Sequence, residues 1–197
     1  MKIRLAGLII TGILITWCHA IFAEDAADMA AEEAQGWVFR KNSCITLIYP
    51  DDINLKKLEA RLKSRCFSVS AIEKDMFANP AYEIEDRIMA RLESIFLRTK
   101  EILAMDPPSM SMKIKVFRNR YELSDEYYLI FKTIQHYRSF YVHGLKTIYT
   151  SMQDVSDSEI SHEMGHAVID NYFTVIPPAK IAEILATYVD SHLEEGR

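Results

Sequence analysis

Two Pro-Pro pairs, Pro107-Pro108 and Pro177-Pro178, constrain this chain more than any other feature. Proline has no backbone N–H and its ring clashes with the preceding helical turn, so a regular helix does not run through such a pair. The first pair predicts the end of a long helix. Its apolar face is marked by Ile84, Ile88, Leu92, Ile95, Phe96, Ile102 and Leu103, at the three- and four-residue spacing of one helix side. The second pair separates two further helices. One starts after the stretch 154–159, which is rich in the Asp and Ser residues that cap helix N-termini, and runs to about Tyr172. The other is expected near residues 179–193.

The remaining segments alternate between strand and helix patterns. Residues 44–49 are β-branched and apolar and end at Pro50, as a strand would. Asp51 or Asp52 can cap the next stretch, where Ile53, Leu55, Leu58 and Leu62 are spaced for a helix. Residues 66–72 alternate as a second strand, and residues 73–82, with Asn79-Pro80, read as a linker. A strand is expected over 112–117, a helix over 121–132, and strands over 137–142 and 146–150 on either side of a His143-Gly144 turn. The expected class is α+β: a small mixed sheet with a long backing helix and two further helices after it. Residues 36–75 form an N-terminal strand–helix–strand segment, and residues 84–197 the main domain.

The N-terminus carries Lys2 and Arg4, an apolar run over 5–17, small residues at Ala20 and Ala23, and then Glu24-Asp25. That order predicts a secretory signal peptide over residues 1–23, cleaved after Ala23 or after Ala20. A retained anchor is the alternative. The apolar run is short for a membrane span, and none is expected after cleavage. The chain is therefore expected to be exported, periplasmic or secreted. Residues 24–35 read as a mobile acidic leader or a frayed helix. Removing Lys2 and Arg4 leaves 21 of the 23 basic side chains against 28 acidic ones, a formal net charge of −7. Nucleic acid is excluded as a partner on that charge. Cys44 and Cys66 are then the remaining cysteines, and an even number in an exported chain predicts a disulfide.

The segment Ser161-His162-Glu163-Met164-Gly165-His166 carries the chemistry. Positions four apart share one helix face, so His162 and His166 can offer imidazole nitrogens to a single Zn2+ ion. Glu163 lies beside His162, where its carboxylate can accept a proton from water that the metal has made acidic. A catalytic zinc needs a third protein ligand. Glu183, on the helix after Pro177-Pro178, is the first candidate, because an antiparallel return lays it across from the histidines. Asp190 and His192 are the alternatives. Ala186, one turn beyond Glu183, is small enough to let the two helices approach. Asp170 is placed to accept a hydrogen bond from a ligand imidazole, and Asp190 to play a similar supporting part.

HEMGHAVID followed by AEILATY resembles the gluzincins, metallopeptidases with an HExxH helix and a glutamate ligand on the next helix. The resemblance is closest to the small peptidase MA-like domains and minimal gluzincins, and spans roughly residues 84–197. It implies a zincin-like fold, a peptide or protein substrate, and zinc held by His162, His166 and Glu183. It also implies an edge strand within residues 137–150 that pairs with extended substrate through its backbone. Larger gluzincins carry a Tyr or His beyond the ligand helix that stabilises the oxyanion. Tyr172, Tyr188 and His192 are the substitutes this chain offers, and none stands at a matching motif position. Core packing is the competing expectation for both tyrosines, and a surface position for His192. Two functions follow: a zinc peptidase with Glu163 as general base, or a zinc-stabilised, non-catalytic domain that binds peptide or protein.

Overall fold

The computed structural model describes residues 32–62 and 82–193. The expected signal peptide, most of the acidic leader, the strand over 66–72, most of the linker and Cys66 lie outside the described residues, and so does the Cys44–Cys66 pairing. Cys44 is half-buried, and burial pushes its thiol pKa up. The chain divides into two compact units, Met1–Val38 and Phe39–Arg197. Among the described residues no helix is long and apolar enough to cross a membrane.

The class is α+β. The strands are β1 (Trp37–Lys41), β2 (Ile45–Pro50), β3 (Met112–Phe117), β4 (Ser139–Val142) and β5 (Thr147–Ser151). The helices are α1 (Leu55–Arg61), α2 (Ile84–Leu103), α3 (Arg120–Phe131), α4 (Asp157–Tyr172) and α5 (Ala179–His192). The sheet order is β1-β2-β3-β5-β4. β2 and β3 run parallel, with Leu47 opposite Ile114, and so do β3 and β5, with Ile114 opposite Ile148. Parallel neighbours need long crossovers, which α1 with α2, and α3 with β4, provide. β4 returns antiparallel to β5, with Phe140 opposite Tyr149, and forms one edge of the sheet.

The N-terminal strand–helix segment is not a separate layer, because β2 lies inside the same sheet as β3. β1 went unforeseen. Asn42 follows it, and its side-chain oxygen accepts the N–H groups of Cys44 and Ile45, which turns the chain from β1 into β2.

α2 backs the sheet through Ile88, Leu92, Ile95 and Phe96, all buried. It stops at Leu103. Ala104 then adopts a left-handed conformation, φ 50°, and its N–H meets the carbonyls of Glu101 and Lys100. The helix thus ends before Pro107 rather than against it. α3 starts at Asn119, whose side chain accepts the N–H groups of Tyr121 and Glu122. The inward residues of the strands, among them Ile45, Ile114 and Ile148, complete the core with Leu58, Ile160 and Met164.

Candidate metal centre

Local chemistry fixes where α4 begins. Ser156 caps it by accepting the N–H of Glu159, and Asp157 and Glu159 place negative charge in the first turn, where the helix dipole favours it. A buried ion pair, Arg91 Nη2 to Asp157 Oδ2 at 3.2 Å, ties that turn to α2. The inner face of α4 buries Ile160, Met164, Ala167 and Val168. The opposite side therefore presents His162, Glu163, His166 and Asp170 to a cleft of about 660 Å³.

α5 returns antiparallel against α4, and two small residues set their separation. A Cβ on Gly165 would lie 3.2 Å from Ala186 Cα and 3.5 Å from Val189 Cγ2. This approach carries Glu183 to the histidines. The Nε2 atoms of His162 and His166 are 3.3 Å apart, Glu183 Oε1 is 3.4 Å from His166 Nε2, and Glu183 Oε2 is 3.7 Å from His162 Nε2. Donors about 2.0–2.1 Å from one tetrahedral ion stand about 3.4 Å apart. The two imidazole nitrogens have that spacing, Glu183 sets one carboxylate oxygen against each, and one donor atom from each residue lies within 4.8 Å of the others. Two imidazoles and a carboxylate suit zinc and its transition-metal neighbours. Burial lowers the His166 pKa, which keeps its ring in the neutral form a metal requires.

Replacing Gly165 by valine tests this packing. The branched side chain has to push α5 and Glu183 away, at a cost of about 1–3 kcal/mol. The expected result is a lower thermal midpoint together with weaker metal binding in a zinc titration.

Glu163 is buried beside the donors. Ser139 Oγ lies 3.0 Å from its Oε1 and 2.9 Å from Glu159 Oε2, and the Tyr141 backbone N–H also donates to Glu163. One hydroxyl has one proton and cannot donate to both acids at once. When Glu163 is ionised the Ser139 proton serves one acid at a time; when Glu163 is protonated it can itself donate to the Ser139 oxygen while Ser139 donates to Glu159. The Glu163 pKa fits this: burial, then the charges of Glu159 and Glu183, raise it to about 7 against the opposing hydrogen bonds. Below about 4.5 the carboxyl is protonated in folded and unfolded chains alike. Between about 4.5 and about 7 the unfolded chain releases its proton and the folded one keeps it. The thermal midpoint of metal-free protein is therefore expected to fall as pH rises through that window, and Glu163→Gln to remove this part of the fall.

No family model, curated protein or solved structure matches this chain.

The other sequence candidates lie elsewhere. Asp170 bonds no ligand imidazole. It accepts the Tyr141 hydroxyl at 2.8 Å and pairs with His143 Nδ1. Asp190 takes the Ser158 hydroxyl and so joins the start of α4 to the end of α5. His192 stacks on Tyr188, ring centroids 3.8 Å apart, outside the donor cluster, and is half-buried rather than fully at the surface. Tyr172 and Tyr188 are not core residues: they are 48% and 46% exposed.

The sequence reading passed over Ser139, Tyr141 and Tyr137. Strand alternation contains the signal for the first two. Ser139 and Tyr141 share one face of β4 and both reach α4, whereas Phe140 points the other way and stacks on Tyr149 at 5.0 Å. Tyr137 lines the cleft and packs on Tyr127, ring centroids 5.1 Å apart. Tyr127, then burial and the charge of Glu183, raise its phenol pKa.

Proposed function

We propose that this chain is an exported, zinc-dependent peptide-bond hydrolase of the gluzincin kind, with a zincin-like fold. The observation that carries the reading is the cluster of His162, His166 and Glu183, one donor atom from each within 4.8 Å of the others, with the buried carboxylate of Glu163 one residue from the first of them. Zinc held by the triad would polarise the scissile carbonyl and acidify a water molecule.

The chain's own groups supply the rest. Glu163 accepts the proton from that water and passes it to the leaving amine nitrogen. Ser139 Oγ and the Tyr141 backbone N–H hold its carboxylate in position. A pKa near neutrality suits an acid–base group that must both accept and release a proton. Among the described residues β4 is an edge strand, and its backbone groups other than the Tyr141 N–H held by Glu163 are available to pair with an extended peptide. Tyr137 brings a phenol to the same cleft, a group able to donate to the oxyanion.

The test is cleavage of a broad peptide library by purified, zinc-loaded chain, with loss of cleavage on chelation and return on adding zinc. One observation favours a second reading, a non-catalytic peptide-binding domain: Tyr172 and Tyr188, offered as substitutes for an oxyanion-stabilising group, are about half exposed and neither lines the cleft. A protein that holds zinc, binds library peptides and cuts none would decide for that reading.

A further inference from the structure

Asp170 has no part in the chemistry above, yet it is a buried acid in the same cleft. Its side chain is 8% exposed. Oδ2 accepts the Tyr141 hydroxyl at 2.8 Å, while Oδ1 is enclosed with no hydrogen bond and meets the Nδ1 edge of His143. His143 belongs to the turn between β4 and β5, its side chain is 64% exposed, and Gly144 beside it has open space around its Cα. The ring lies on the solvent side of Asp170, where a ligand can replace it. A buried carboxylate short of hydrogen bonds is costly, and a cation that reaches it is held strongly. The lining beside Asp170 suits the rest of such a ligand. Ile176 and the Tyr141 ring line the same cleft, apolar surface able to take an aliphatic stem with a charge at its tip. Arg138 does not compete for Asp170, because its guanidinium lies on Glu159 at 3.0 Å and near Asp154 at 3.8 Å.

We infer that Asp170 is the floor of a subsite for a lysine or arginine side chain of the bound peptide, with His143 as its displaceable rim. The inference rests on the peptide-cleft reading of the site. Asp170 lies one helical turn beyond His166, so the basic residue sits close to the scissile bond. The acidity of the chain as a whole, −5 over its full length, favours the same class of substrate.

The experiment uses labelled octapeptides that are alike except for one Lys, Arg, Gln, norleucine or Glu placed at each position in turn. Binding to the full chain carrying Glu163→Gln and loaded with zinc is read by fluorescence anisotropy, and cleavage by the unaltered chain is followed in parallel. At one position Lys and Arg should bind at least about ten-fold tighter than Gln or norleucine, with Glu weakest. Asp170→Asn keeps an oxygen for Tyr141 and should bring the basic and neutral peptides to within about two-fold, with zinc content unchanged. His143→Ala should keep or sharpen the preference. Equal binding of basic and neutral peptides, or a preference that survives Asp170→Asn, overturns the subsite. Cleavage without a basic preference removes the subsite and leaves the hydrolase. A basic preference without any cleavage removes the hydrolase and leaves the subsite.

Discussion

Replacing Glu163 by glutamine is expected to lower turnover by about 10²–10⁴-fold and to leave the metal in place. The amide nearly matches the carboxylate in shape, and the Ser139 hydroxyl and Tyr141 N–H can still donate to its oxygen. It cannot accept the proton from water. Glu163 faces Ser139 and Glu159 rather than the three donor atoms, so its loss does not remove a ligand. The comparison is kcat and zinc content for the two proteins side by side. Loss of zinc in Glu163→Gln would mean that the carboxylate is a ligand, and unchanged kcat would mean that it is not the base.

The second large effect is on stability. A ligand that binds the folded chain alone stabilises it by RT ln(1 + [L]/Kd), about 4 kcal/mol when free zinc is a thousand-fold above Kd. Added zinc should therefore raise the thermal midpoint of metal-free protein by several degrees or more. His162→Ala, His166→Ala and Glu183→Ala should each lose most of that rise. Glu183 is the sharpest of the three. Its side chain is 62% exposed, so the substitution removes little burial. A Glu183→Ala protein that still gains the full rise from zinc would move the third ligand elsewhere.

The elements that the sequence made legible are those with strong periodicity and firm punctuation. The long apolar face of α2, the capping stretch before α4 and the Pro177-Pro178 break before α5 each state a boundary in side-chain chemistry that acts locally. The donor triad was legible for the same reason, since helical spacing places His162 and His166, and the short connection to α5 limits where Glu183 can lie. The surroundings of Glu163 were not. Ser139 meets it from a strand 24 residues away, and that meeting depends on the register of β4 against β5 and on the packing of the sheet edge against α4. Nothing within either segment encodes that register alone. Asp170 was placed on the correct face of α4, but its partners come from β4 and the turn after it, so the bond to a ligand imidazole was the wrong expectation. β1 was missed because five residues with a charged end carry little alternation, and the signal lies instead in the side chain of Asn42.

The central claim is that His162, His166 and Glu183 hold one zinc ion. The most direct measurement is metal content per chain by elemental analysis, for purified protein dialysed against trace metals and for His166→Ala treated in the same way. The expected result is one zinc per chain in the first and a small fraction of that in the second. A folded protein that takes up no zinc, or a His166→Ala protein that holds as much as the unaltered chain, would contradict it.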